Sequence, residues 1–201
     1  MGSEMCIRDS PGIKHWKAVK HLMRYIQGTR DLKLTYKPDP SLGGLFTTWT
    51  DADFAGEITD KKKSTNGYLV KMGTGAISWA SKLQGKIAGS STEAELYGAS
   101  FAGKEIMWLR NLLTELGYKP TSPSLLYVDN QSTIQVLLDA VGVTRMKHVD
   151  VQEYWIRDEV NIHRNISVDY CPTSQMPADL LTKALSRQLV EDHRARMGLQ
   201  F

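Results

Sequence analysis

Asp51, Glu95, Asp129 and Asp179 are the residues of this 201-residue chain whose types and spacing could do chemistry. Asp51 follows the β-rich run "LFTTWT", and Asp129 follows "LLYV" in the same way. In a sheet with helical crossovers, ligand sites gather at the carboxyl ends of parallel strands, so two acids delivered by neighbouring strands would meet there. Glu95 belongs to a helix. Ala99, Ala102, Ile106, Leu109, Leu113 and Leu116 step by three or four into one apolar stripe, and running that stripe back by four lands on Glu95. Glu93 lies about 200° round the same helix, on a more polar line with Tyr97, Ser100 and Lys104. A carboxylate aimed into a core beside two others is costly unless a cation compensates it. All-oxygen ligation without His or Cys selects Mg2+ or Mn2+. Asp179, in "PADLLTK", is the fourth candidate. Any one aspartate before a helix is most often a cap. Four acids in the order strand end, helix, strand end, helix start are hard to obtain from capping alone. Asp53 falls further into the loop after Asp51.

The elements that must position these acids can be read along the chain. Residues 13 to 27 form an amphipathic pattern through Ile13, Trp16, Val19 and Ile26, with Gly28 as its stop. Leu32, Leu34 and Tyr36 alternate with polar residues as in a strand, and "KPDPSLGG" breaks the chain at 37 to 44. "NGYLVKMG" and "AISWASK" read as a hairpin. Ser90 to Gly117 is a long helix with Ser90, Ser91 or Thr92 as its cap. Gly98 and Gly103 inside it imply close approach to the sheet, since a helical glycine costs about 1 kcal/mol. "SLLYVDN" and "ISVDYC" are strands, "QSTIQVLLDA" and "MKHVDVQEYWIRDEVNIH" helices, and "PADLLTKAL" starts another helix with Pro177 in its first turn. Helices crossing between the later strands predict an α/β fold: a mixed sheet with an antiparallel hairpin and a parallel portion. Trp49, Trp79, Trp108 and Trp155 read as packing residues.

Bulk properties exclude little. Hydrophobic residues make up 41% and charged residues 23%, as in an ordinary globular protein. A net charge of +3 permits nucleic-acid binding and does not by itself argue for it. The two cysteines, Cys6 and Cys171, form neither a metal spacing nor a disulfide framework, which suggests a reducing compartment. No apolar run approaches a membrane span, and no signal peptide is evident. Residues 1–10, "MGSEMCIRDS", carry no periodicity and read as a non-native leader.

"TDADFAG", "KKSTNGYLV", "ISWASKLQ", "SSTEAELYGA", "WLRNLLTELG", "LYVDNQSTI", "MKHVD" and "PADLLTK" occur in this order and resemble the ribonuclease H domain of Ty1/copia-type retrotransposon Pol polyproteins. The resemblance covers residues 45–185. Residues 11–44 look like the end of the reverse transcriptase of the same polyproteins, and 186–201 form a helical tail. The resemblance implies a ribonuclease H-like fold, with five strands in a mixed sheet and helices on both faces. It implies hydrolysis of the RNA strand of an RNA–DNA hybrid, in a cytoplasmic, virus-like-particle setting, with the reverse transcriptase portion as a partner. Asp51, Glu95, Asp129 and Asp179 would hold two Mg2+ ions roughly 4 Å apart, one activating the attacking water and one stabilising the leaving 3′ oxygen. Lys61, Lys62 and Lys63, with the hydroxyls of Ser64 and Thr65, would touch the phosphate backbone, and Asn130 is placed with them as a nucleic-acid contact.

The sequence departs from the family's pattern in two places. Gln152, Glu153 and Tyr154 stand where basic and histidine residues are usual, and residues 172 to 178 contain no histidine to shuttle protons. His148 is the nearest candidate, better suited to capping or to the surface. Two alternatives compete: an integrase or transposase core, for which Glu153 or Glu159 would serve as the late helix acid, and a non-catalytic domain that tethers hybrid.

Overall fold

The most buried strand of the molecule is the one that carries Asp51. The computed structural model describes residues 12–39, 45–55, 63–139 and 151–201, with the side chains of 151–153 excepted. The strands are β1 (Thr47–Asp53), β2 (Thr65–Met72), β3 (Gly75–Leu83), β4 (Ser124–Val128) and β5 (Ile166–Tyr170). They form one sheet in the order β3-β2-β1-β4-β5. β1, β2 and β3 pair antiparallel, whereas β1–β4 and β4–β5 are parallel. This is the five-stranded mixed sheet expected from the sequence. β1 is rich in β-branched threonine and lies mid-sheet, so both of its faces are covered. It also runs through Asp51 to Asp53, where the sequence suggested a strand ending at Asp51. Pairing with β2 extends it, and Asp53 is a strand residue opposite Thr65 instead of a loop residue.

The long helix, α2 (Ser91–Glu115), is started by its cap. Ser90 Oγ accepts a hydrogen bond from the Glu93 amide at 3.1 Å, and the Glu93 carboxylate turns back to accept from the Gly89 amide at 2.6 Å. Leu96, Ala99, Ala102, Ile106 and Leu109 pack against Tyr68, Val70, Leu126 and Val128 of the sheet and against Phe46 just before β1. The stripe ends sooner than the sequence implied. Leu116 lies past the last helical turn and is exposed. A Cβ added at Gly98 would lie 3.2 Å from Thr50 Oγ1 and 3.5 Å from the carbonyl of Asp51. The helix thus lies close against the strand segment that carries the acid.

β4 leads into α3 (Gln131–Leu138), and α4 (Val151–Asn161) adds Ile156 and Val160 to the same core. The opposite sheet face is covered by a second cluster, in which Trp49, Leu69 and Ala76 meet Cys171, Met176, Ala178 and Met197. Two 3-10 turns, Thr173–Gln175 and Pro177–Leu181, and the helix α5 (Arg187–Arg196) supply that layer. The "PADLLTKAL" segment therefore begins as a 3-10 turn and not as the expected α-helix. Its i+3 bonds run from Asp179 N to the Met176 carbonyl and from Thr182 N to the Asp179 carbonyl, both at 3.2 Å, before Lys183 N closes an i+4 bond to the same carbonyl at 3.1 Å. Trp49 and Trp155 pack as expected, but Trp79 and Trp108 are more than half exposed.

The chain divides into two compact units, Leu34–Leu199 and Met1–Lys33 with Gln200–Phe201. In the second, α1 (Ile13–Thr29) is an amphipathic helix that runs one residue past Gly28 and buries none of its residues. Residues 34 to 38 go with the main unit because their backbone is used there. The Thr35 amide donates to the Gly198 carbonyl at 2.9 Å, and the Thr74 amide to the Lys37 carbonyl at 3.0 Å. Among the described residues, no helix is long and apolar enough to cross a membrane.

Ile106 is fully buried at the centre of the main core. Ile106→Ala is expected to lower the unfolding free energy by about 2–5 kcal/mol, read from urea denaturation; a change within about 0.5 kcal/mol would show that the α2–sheet contact contributes little.

Candidate metal centre

The register of the parallel ladder sets the site. β1 and β4 pair from Thr47–Leu125 to Trp49–Tyr127. Two residues further along come Asp51, which shares the face of Trp49 because strand side chains alternate, and Asp129, the residue after the end of β4. Glu95, in the first turns of α2, reaches the same point. One ligand oxygen from each of Asp51, Glu95 and Asp129 lies within 4.8 Å of the others. Glu93 does not join them, since its carboxylate is taken by the Gly89 amide and by the Tyr97 hydroxyl at 2.9 Å.

Burial makes this cluster electrostatically expensive. Asp51 is 2% exposed and Glu95 5%. Glu95 Oε1 accepts from the Ala52 amide at 3.1 Å, while Oε2 is buried without a hydrogen-bond partner among the described residues. Desolvation, followed by the charges of Asp51 and Asp129, pushes the Glu95 carboxyl up to about 9. Burial and then Asp51 likewise raise Asp129, against the Thr173 hydroxyl, which donates to its Oδ2 at 3.1 Å. An orphaned carboxylate oxygen on a glutamate clustered with two aspartates is a demand that a hard divalent cation satisfies, and the donor set is all oxygen. The residues therefore fit such an ion.

Asp179 stands beside this trio without belonging to it. Its carboxylate is paired with Lys183, whose Nζ lies 3.1 Å from Asp179 Oδ1 and 3.5 Å from Asp51 Oδ2. The Thr182 hydroxyl donates to the same Asp51 oxygen in a short hydrogen bond. Burial and Asp51 raise Asp179 to about 6, with Lys183 opposing them. For Lys183 itself, burial lowers the pKa, but Asp51, Asp179 and Asp129 more than offset that and raise it. The tight turn puts Asp179, Thr182 and Lys183 on one side, and Gly67 gives them room. Gly67 pairs with Asp51 in the ladder, and a Cβ there would come 2.7 Å from Thr182 Cγ2 and 2.9 Å from Leu181 Cβ.

Sequence reasoning did not single out Lys183, Thr182 or Thr173. For Lys183 and Thr182 a signal existed in their i+4 and i+3 spacing from Asp179. The expected nucleic-acid contacts are placed variously. Lys61 and Lys62 lie outside the described residues, as does His148, the nearest candidate for a proton-shuttling histidine. Lys63 Nζ donates to the Gly85 carbonyl at 2.9 Å. Ser64 is fully buried, its hydroxyl accepting from the Ala55 amide at 3.2 Å, so it offers no surface to a phosphate. Thr65 is half-buried at the start of β2. Asn130 caps α3, its side chain accepting from the Thr133 amide at 3.2 Å. Glu159 is buried and hydrogen-bonds Asn165 Nδ2 at 2.8 Å, away from the acid trio; the side chain of Glu153 is not described.

This α/β sheet, with carboxylates at the ends of neighbouring parallel strands and a third on the covering helix, is the five-stranded mixed architecture that the ribonuclease H resemblance implies. Over most of its length the chain is similar to a part of the Pol polyproteins of plant transposons. It is 41% identical over 192 residues to the retrovirus-related Pol polyprotein from transposon TNT 1-94 of Nicotiana tabacum, a match covering 95% of this chain and 14% of that protein. It is 36% identical over 189 residues to the corresponding polyprotein from transposon RE2 of Arabidopsis thaliana, covering 94% of this chain and 13% of that one. The chain thus spans about one seventh of the length of these relatives. Among solved structures, an RNase H1 isolated from compost is similar with a TM-score of 0.48 at 14% identity, covering 73% of this chain and 96% of that one. No protein-family model matches the chain.

Without metal, Glu95 keeps its proton in the folded protein up to about pH 9 but loses it near 4.5 when unfolded. The folded state binds more protons between these values, so stability falls as pH rises across them. Asp179 adds to the fall between 3.8 and about 6. In EDTA, Glu95→Gln is expected to flatten the profile and to exceed the wild type in stability at pH 9 by on the order of a few kcal/mol. Parallel pH profiles of melting temperature for the two proteins would contradict this.

Proposed function

We propose that the chain is the ribonuclease H segment of a retrotransposon Pol polyprotein and hydrolyses the RNA strand of RNA–DNA hybrids with Mg2+ or Mn2+. The observation that carries this reading is the trio of buried Asp51, buried Glu95 and half-buried Asp129, whose carboxylate oxygens come within 4.8 Å of one another while one oxygen of Glu95 has no hydrogen-bond partner among the described residues. The relatives' names support the polyprotein setting.

Asp51, Glu95 and Asp129 would hold the cation, which would supply Lewis acidity to the phosphodiester and to the attacking water. This chain's own groups prepare that site. The Ala52 amide fixes the Glu95 carboxylate, Thr173 orients Asp129, and Thr182 orients Asp51. The closeness of α2 to β1 at Gly98 keeps Glu95 at the strand ends. Discrimination for RNA would come from the 2′-hydroxyl of the strand that lies over the acids. Phosphate contacts would dominate binding, so affinity would fall with salt and vary little with sequence. Lys61 and Lys62, with Lys63, stay the proposed local contributors to that binding. The reverse transcriptase portion of the polyprotein would supply the rest of the hybrid-binding surface.

An integrase-type core would need its third acid on a late helix. Here Glu159 is engaged by Asn165 and His163, and the helix acid beside the aspartates lies between them in the chain.

A labelled RNA–DNA hybrid is expected to be cut in Mg2+ and left intact in EDTA, with duplex DNA untouched. Asp51→Asn should lower the rate by at least about a thousandfold while leaving the circular dichroism spectrum unchanged. Undiminished Mg2+-dependent cleavage by Asp51→Asn would remove the assignment, and equal cutting of duplex DNA would bring the integrase-type reading forward.

A further inference from the structure

We propose that Lys183 is a resident cation of the acid cluster: its ammonium holds the Asp51–Asp179 side of the site and competes there with a divalent ion, so that Asp179 serves the lysine and not a metal. This rests on the metal reading of the trio and refines it.

The geometry is specific. Lys183 Nζ sits 3.1 Å from Asp179 Oδ1 and 3.5 Å from Asp51 Oδ2. Both aspartates are almost wholly buried, whereas the lysine side chain is 32% exposed. A cation bridging these two carboxylates through Asp51 Oδ2 and Asp179 Oδ1 would meet the ammonium that already touches both oxygens. The charge need there is met from within the chain, and a metal taking those two oxygens would have to displace the lysine, whose side chain is 32% exposed. The trio differs. Glu95 Oε2 has no partner, and Lys183 does not reach Glu95 or Asp129 with a hydrogen bond or ion pair among the described residues.

Local sequence places the lysine deliberately. Asp179 and Lys183 are four apart across a 3-10 turn, where the Lys183 amide itself bonds the Asp179 carbonyl at 3.1 Å. Gly67 admits the turn against β2 beside Asp51, and the Thr182 hydroxyl ties it to the Asp51 carboxylate. Backbone and side chain together hold the ammonium where it lies. Breaking one partner out of a buried ion pair leaves a charge uncompensated, which is a strong incentive for a replacement cation.

Calorimetric titration of the metal-free chain with Mn2+ tests this without any activity measurement. The wild type is expected to show one strong site. Lys183→Gln should show a second, or bind its second ion at least about tenfold more tightly, and Lys183→Arg should resemble the wild type. Asp179→Asn should keep the single strong site, because Asp179 is not a ligand of it. A Lys183→Gln titration that superimposes on the wild type, or loss of the strong site in Asp179→Asn, would overturn the proposal while leaving metal at the trio. If Lys183→Gln does not fold, as judged by circular dichroism, the Asp179→Asn titration decides. If neither the wild type nor Lys183→Gln takes up Mn2+, the metal reading of the trio fails and this proposal falls with it.

Discussion

Mutual repulsion among buried carboxylates is the constraint on which the rest of this structure depends. Asp51, Glu95 and Asp129 are packed at the end of the sheet, with Asp179 close by. Desolvation and like charge together would drive such a group apart or keep it protonated. The fold answers with partial compensation: an amide for Glu95, a hydroxyl each for Asp129 and Asp51, and one ammonium shared by Asp51 and Asp179. What is left over, an unpaired oxygen on Glu95, is the site's unfilled demand. The same residual demand that lowers stability in the metal-free chain is what would give a cation its affinity.

The scaffold holds this arrangement by being rigid where the acids emerge. β1 is buried on both faces and hydrogen-bonded on both edges, so Asp51 has little freedom. α2 is anchored by its cap at one end and by a continuous apolar contact along its length, and it lies close against the β1 segment that carries the acid. The 3-10 segment with Asp179 and Lys183 lies over the other sheet face, so the acids are approached from both layers. Glycines at 67 and 98 mark the two places where a layer touches the strands next to Asp51. The site is a meeting of three elements whose mutual distances are set by packing.

Much of this was legible in the chain. The alternation of "LFTTWT" and "LLYV" marks two strands that end in acids, and the 3.6-residue period separates Glu95 from Glu93 by geometry alone. The helix cap at Ser90 and the hairpin were also readable, because capping and strand alternation are local. Other readings failed where a local rule met a tertiary one. Leu116 continues the stripe but comes after the helix has ended, and Trp79 and Trp108 are large and apolar yet exposed. Ser64 looked like a surface hydroxyl beside three lysines; the start of β2 buries it. Pro177 and its followers have an α-helical composition, but the turn tightens against β2 into a 3-10 form.

By itself the sequence determined the order and type of the elements and which face of each is apolar, and so which acids must come to the sheet's end. Those properties follow from periodicity, and periodicity is written in neighbouring residues. Only the tertiary structure decided that Lys183 lies against Asp51, 132 positions away, that Asp179 is paired with that lysine beside the trio, and that one oxygen of Glu95 is left without a partner. Contacts of this kind depend on strand register and on layers fitting to within a fraction of an ångström at Gly67 and Gly98. No local pattern encodes such distances, because they are set by everything the elements pack against.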